Sequence, residues 1–131
     1  MLISTKGRYA LRVMIDLADH CDGSYVTLKE IADRQDISEK YLESIIVQLS
    51  KAGLLDGLRG KGGGYRLNRK PSEYSVGEIL RLVEKNMAAV TCLDCSSEGC
   101  DRASECRTLA VWQNLQTKID EYLDSVTLAD L

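Results

Sequence analysis

The sequence predicts a mainly α protein: a winged helix-turn-helix domain with a small β-hairpin wing, plus a long C-terminal dimerisation helix. Three observations carry that prediction. Apolar residues recur at helical spacing over four segments, two of them separated by a tight turn. A basic, glycine-rich stretch sits between two short strand-like runs. A heptad-like apolar seam occupies the last helical segment. With 131 residues, the chain can bury one compact domain and still extend an element away from it.

The elements follow in order. From Thr5 to about Cys21, Ala10, Val13, Met14, Leu17 and Ala18 mark a helix with one buried stripe, ended by Asp22-Gly23. After a brief extended Tyr25-Val26, Thr27-x-x-Glu30 has the form of a capping box and opens a helix from Leu28 to about Arg34. A tight turn at Gln35-Asp36-Ile37 leads to Ser38, the N-cap of a helix that buries Leu42, Ile45, Ile46 and Leu49 and stops at Gly53. Its polar outward face is expected to hold Lys40, Tyr41, Glu43, Ser44 and Gln48. Leu54-Leu55-Asp56 and Gly64-Tyr65-Arg66-Leu67 read as strands flanking a tip with Arg59, Gly60 and Lys61. Pro71 closes this unit, and Ser75-x-x-Glu78 has the form of another capping box, opening a helix that ends near Lys85. Beyond an irregular segment rich in cysteine, Trp112, Leu115, Ile119, Tyr122 and Val126 step by 3, 4, 3, 4 along a helix of about 18 residues. Such a seam is expected to pair with a second copy of the chain. Thr127 to Asp130 is expected to begin one further turn.

Charge divides along the chain. The net charge is −3, but residues 1–70 carry 12 Lys/Arg against 9 Asp/Glu, while residues 71–131 carry 5 against 11. The basic residues crowd most densely in Arg59, Lys61, Arg66, Arg69 and Lys70. A basic first half with a helix pair and a narrow basic tip points to duplex DNA. No apolar run approaches the roughly 18 residues of a membrane span. The opening Met1 to Arg8 has no signal-peptide core, so a cytoplasmic location and no membrane partner are expected.

In that setting disulfides are disfavoured, and clustered cysteines imply metal or redox chemistry. The run Cys92-x2-Cys95-x4-Cys100-x5-Cys106 can fold several sulfurs around one centre. Spacing alone leaves zinc and iron–sulfur even, since structural zinc usually takes two Cys-x2-Cys pairs and only one is present. Cys21 is expected to be a packed thiol and His20 a solvated helix-terminal residue. No catalytic constellation is legible, so an enzyme is not expected.

Four ordered motifs together resemble the bacterial winged-helix transcription regulators typified by IscR, with NsrR and CymR as relatives. They are Ile3-Ser4-Thr5-Lys6-Gly7-Arg8-Tyr9-Ala10, Ile37-Ser38-x-x-Tyr41-Leu42-Glu43, Arg59-Gly60-x-Gly62-Gly63-Gly64-Tyr65, and Cys-x7-Cys-x5-Cys followed by Trp112. The resemblance spans nearly the whole chain. It implies a homodimeric, sequence-specific repressor of two-fold-related DNA half-sites, controlled by an iron–sulfur cluster. By position, Ser38, Tyr41, Glu43 and Ser44 would face the major groove, Arg59, Gly60 and Lys61 the minor groove, and Lys6 and Lys40 phosphates. The same resemblance makes Cys92, Cys100 and Cys106 cluster ligands, with Cys95 as a further candidate and 2Fe–2S favoured over 4Fe–4S. Neither fourth ligand familiar in such proteins is present: the two positions hold Leu109 and Arg8, which leaves Cys95, an acid such as Glu98, a serine or a residue from another subunit to complete the site. The implied organisation is 1–70 for DNA binding, 71–90 as a connecting helix, 91–107 as the cluster loop and 108–131 as the dimerisation helix and final turn. The alternative is a CymR-like regulator of sulfur or cysteine metabolism without a cluster, bound to zinc, responsive through its thiols or controlled by a partner enzyme.

Overall fold

The computed structural model describes residues 1–94 and 97–131; Cys95 and Ser96 lie outside them. Helix α1 spans Thr5–Asp19, α2 Leu28–Gln35 and α3 Glu39–Lys51. Strands β1, Leu55–Leu58, and β2, Gly64–Leu67, form an antiparallel hairpin in which Leu55 pairs with Leu67 and Leu58 with Gly64. Helix α4 covers Val76–Val83 and α5 covers Leu109–Ser125. Short 3-10 turns at Thr91–Leu93 and Ala103–Glu105 shape the segment between them, and a last one at Leu128–Asp130 follows α5. This is the mainly helical fold with a two-stranded wing that the sequence predicts.

Helix ends follow the capping chemistry closely. Ser4 caps α1 by accepting the Gly7 N–H at 3.0 Å, and both halves of the Thr27–Glu30 box form at α2. Ser38 caps α3 through the Tyr41 N–H. Between α2 and α3, Asp36 adopts φ +53°, a left-handed conformation that Asp tolerates better than most residues, and this sets the tight turn. The box expected at α4 is only half made. Ser75 accepts the Glu78 N–H at 3.0 Å, but the Glu78 carboxylate turns to Arg69 at 2.9 Å.

The core lies where α1, α3 and α4 meet. Ala10, Val13, Met14 and Leu17 of α1 pack with Ile31 of α2, the Leu42, Ile45, Ile46 and Leu49 face of α3, and Ile79 of α4. Each fully buried Leu or Ile stabilises by about 1.5–3 kcal/mol, against about 0–1 for an exposed ion pair, so these faces and not the surface charges hold the fold. Tyr74 is wholly buried in the same core, where its hydroxyl donates to the Leu54 carbonyl and accepts the Asn68 and Arg69 N–H groups. Leu128 is buried beside it, and the Leu128 N–H donates to the Tyr74 carbonyl at 3.1 Å. The chain after α5 thus returns to the core formed by α1, α3 and α4.

Four sequence expectations change. Helix α1 ends at Asp19, so Cys21 is exposed rather than packed. Val26 exchanges two 2.8 Å backbone hydrogen bonds with Tyr65, adding a third, one-residue strand to the wing. Gln48 does not face outward: it is half-buried and donates to the Leu82 carbonyl of α4. Val126 lies past the end of α5 and accepts the Val76 N–H at 2.8 Å.

Candidate nucleic-acid interface and cysteine loop

Helix α3 separates its residues by period. Leu42, Ile45, Ile46 and Leu49 are buried, while Ser38, Lys40, Tyr41, Glu43 and Ser44 are all exposed around the first two turns. Tyr41 is steadied from below. Its ring meets Tyr9 of α1 edge-on at 5.8 Å, and the Arg12 guanidinium lies 5.2 Å over the Tyr9 ring while bonding Gln35 at the end of α2. The Ser44 hydroxyl donates to the Tyr41 carbonyl at 2.7 Å, leaving its oxygen free to accept. Lys6 lies half-buried on the first turn of α1.

Asp16 anchors this arrangement, and its role was not legible in the sequence. Only 3% exposed, its carboxylate accepts Arg34 Nε at 3.0 Å, Arg34 Nη2 at 2.7 Å and Gln35 Nε2 at 2.9 Å. Burial alone would push this carboxyl up. The hydrogen bonds from Arg34 and Gln35, with the charge of Arg34, overcome burial and hold it below the ordinary carboxylate value. The C-terminal end of α2, from which the chain turns into α3, is thereby fixed to α1. His20 is held too, its Nδ1 2.7 Å from the Asp16 carbonyl.

The wing sorts its cations into two groups. Arg66 lies 4.5 Å over the Tyr25 ring, donates to the Gly23 carbonyl at 2.9 Å and sits 3.5 Å from Asp56. Arg69 lies 4.2 Å over Tyr74 and pairs with Glu78. Arg59 and Lys61, at the tip with Gly60, are exposed and make no ion pair among the described residues. Gly60 and Gly62 take φ +91° and +77°, and a Cβ on Gly63 would sit 2.1 Å from the Leu58 carbonyl oxygen. Any larger residue at Gly63 would break the turn that presents Arg59 and Lys61.

At the opening motif, the Ser4 N–H and hydroxyl both donate to Glu84 at 2.8 Å. A Cβ on Gly7 would fall 2.1 Å from that carboxylate, so the glycine admits Glu84 to the start of α1. There the helix dipole favours its charge.

The cysteine loop is less gathered than the spacing suggests. Cys92 and Cys100 border one open hollow with Thr91, Ser97 and Arg102. Cys106 stands apart just before α5, its sulfur 3.4 Å from the Thr108 hydroxyl. That hydrogen bond first, then backbone N–H groups and the nearby Arg102, hold the Cys106 thiol below its ordinary value. Among the described residues no three His, Cys, Asp or Glu side chains converge as a metal site. Cys95 lies outside the described residues. Leu109 opens α5 and has no donor atom in its side chain, while Arg8 bonds the Thr5 hydroxyl at 3.1 Å. Three thiols on one irregular loop are nonetheless soft donors of the kind that both iron–sulfur clusters and zinc take.

Helix α5 leaves Leu115 and Tyr122 of the seam 43% and 68% exposed, while Trp112 and Ile119 are half-covered. Val111, one turn before Leu115, is exposed as well. Its other face meets α4, where Arg81 pairs with Asp124 at 2.6 Å and Asp120 at 3.3 Å. Among the described residues, no helix is long and apolar enough to cross a membrane.

Comparison with known proteins agrees with this architecture. Residues 3–131 match the Rrf2 family, described as iron-dependent transcriptional regulators. The chain is 40% identical over 131 residues to the HTH-type transcriptional regulator IscR of Aliivibrio salmonicida, covering all of this chain and 77% of that protein. It is equally identical to a putative HTH-type transcriptional regulator of Haemophilus influenzae, covering 86% of it. Among solved structures, T. potens IscR superposes with a TM-score of 0.76 at 41% identity, covering 99% of this chain and 85% of that one. CymR of B. subtilis, titled a global cysteine regulator, superposes at 0.80 with 36% identity, covering 99% and 95%. The chain belongs to the Rrf2 family and is a DNA-binding transcription regulator of the IscR type, not an enzyme.

Proposed function

We propose that the chain is a homodimeric repressor that binds two-fold-related DNA half-sites and whose affinity is set by an iron–sulfur cluster on the loop of Cys92, Cys100 and Cys106. The observation that carries this reading is the loop itself: three described thiols, Cys92, Cys100 and Cys106, lie between the helix-turn-helix and the half-bare α5. In this reading Ser38, Tyr41, Glu43 and Ser44 read base edges in the major groove, and Glu43 acts as a discriminator, accepting from cytosine or repelling a wrong site. Arg59, Gly60 and Lys61 enter the minor groove, and Lys6 and Lys40 meet phosphates. The labour divides as 1–70 for DNA, 71–90 as connector, 91–107 as sensor and 108–131 for pairing through Val111, Leu115 and Tyr122.

Bound to the thiolates, a 2Fe–2S centre supplies a redox-sensitive cross-link of the loop. Because the three described sulfurs do not converge, Cys92, Cys100 and Cys106 would have to close up to hold one centre, and the segment before α5 would be fixed with them. Cys95 is the candidate fourth ligand. Anaerobically purified protein should be coloured, with iron and sulfide in equal amounts and two irons per chain. A colourless protein containing zinc would refute the cluster.

A second reading has its own support, the likeness to CymR of B. subtilis. In it the loop thiols respond directly to oxidants or bind zinc, a partner enzyme sets the affinity, and the regulated genes serve sulfur metabolism. The same measurement separates the two.

A further inference from the structure

Two glutamines do work that backbone normally does. Between α4 and the cysteine loop, Met87 and Ala89 lie outside any helix or strand. The Gln116 side chain of α5 supplies bonds to both: its Oε1 accepts the Ala89 N–H at 2.6 Å and its Nε2 donates to the Met87 carbonyl at 3.2 Å. The same Nε2 reaches Asp120 one turn along α5, also at 3.2 Å, and Asp120 accepts from Arg81 of α4. Leu82, the next residue of α4, lies in the last turn, where a helix leaves carbonyls without intrahelical donors. The half-buried Gln48 of α3 donates to that Leu82 carbonyl. Gly77 lets the carboxylate of Asp124 come close enough to α4 for Arg81 to clamp it, since a Cβ there would meet Asp124 Oδ1 at 2.2 Å.

These bonds form two polar links joined through the backbone of α4, where Arg81 and Leu82 are adjacent. Together they start three residues before Cys92, cross α5 and α4, and end on the helix whose exposed face carries Tyr41 and Glu43. We propose that Gln116 is a positioning residue that ties the conformation of the cysteine loop to α3, through Asp120, Arg81 and the bond between Leu82 and Gln48. Movement of Cys92 toward the other thiols pulls on residues 87–89, and the Gln116 amide passes that displacement to α5 and α4. The polar links suit this purpose because each bond is directional, and the packed core between α3 and α4 gives little where Gln48 meets Leu82. The inference rests on the loop being a sensor, but the coupling itself can be measured without a cluster.

The test is hydrogen exchange on the full chain for the wild type, Gln116→Leu, Gln48→Leu and the double variant. Gln116→Leu should speed exchange about threefold or more both at residues 86–93 and across α3, with α2 unchanged as the internal reference. In the Gln48→Leu background, the further Gln116→Leu change should no longer reach α3. Faster exchange confined to residues 86–93, or a uniform rise over the whole chain, would overturn the proposal. With cluster-loaded and chelator-stripped protein, Gln116→Leu should also bring the ratio of duplex affinities at least about threefold closer to one. An unchanged ratio counts against it. If the anaerobic protein carries no cluster, the sensor reading fails, while the exchange pattern still decides the role of Gln116.

Discussion

Arg59 and Arg66 stand seven residues apart in one basic stretch, yet the first is open to solvent and the second is bound on three sides. Arg66 is stacked on Tyr25 and bonded to Gly23 and Asp56, so its guanidinium holds the wing to the chain before α2. Arg59 makes no ion pair among the described residues, and the glycines around it keep the tip narrow. Arg59→Ala should lower duplex affinity about tenfold at moderate salt, reduce the salt slope by about one and leave the melting temperature unchanged. Arg66→Ala should do the reverse, lowering the melting temperature with little effect on the salt slope. A salt titration of both variants checks this, and an unchanged slope for Arg59→Ala would remove it from the interface.

At the scale of elements, the helix-turn-helix is seated by a charge as well as by its apolar faces. Asp16 of α1 binds Arg34 and Gln35 at the end of α2, and its carboxyl is held below the ordinary value. A carboxylate depressed in the folded state stabilises fully above its unfolded pKa of about 3.9, and that contribution fades as pH falls through the lower folded value. Arg34→Met leaves Asp16 buried with Gln35 as its chief side-chain donor. Since Arg34 is about a third exposed, the loss should be about 1–3 kcal/mol at pH 7 rather than the larger cost of a fully buried pair. The variant should also unfold at higher pH on acid titration than the wild type; identical acid midpoints would contradict the role given to the pair. The apolar stripes, the caps at Thr27 and Ser38 and the hairpin were legible in sequence because each is set by residues within a few positions. Asp16–Arg34, Glu84 at Ser4, Tyr74 under the wing and Gln116 were not, because their partners lie between five and 80 residues away and only packing brings them together. The same limit explains Gln48, whose helical position reads as polar surface until α4 is placed beside it, and Glu78, drawn from its cap by Arg69.

Over the whole chain, charge divides by half: the excess of acidic residues lies after residue 70, while the exposed cations of the wing tip lie before it, and α5 leaves Val111, Leu115 and Tyr122 bare. In the proposed dimer, a second copy pairing along that stripe would set two α3 helices at a fixed separation, as a two-fold-related site requires. The cysteine loop joins α4 to α5, so its order would bear on that separation. The proposed cluster ligands were legible only as a cysteine count and a family likeness, because their geometry would depend on how the loop closes. The most direct measurement is duplex affinity, on sites selected from a random pool, for anaerobic wild-type protein and the Cys92→Ser/Cys100→Ser/Cys106→Ser variant. Control by the loop requires at least one class of site to change affinity about tenfold or more between them, a difference of about 1.4 kcal/mol. Equal affinity at every selected site, with the wild type carrying its cluster, would contradict it.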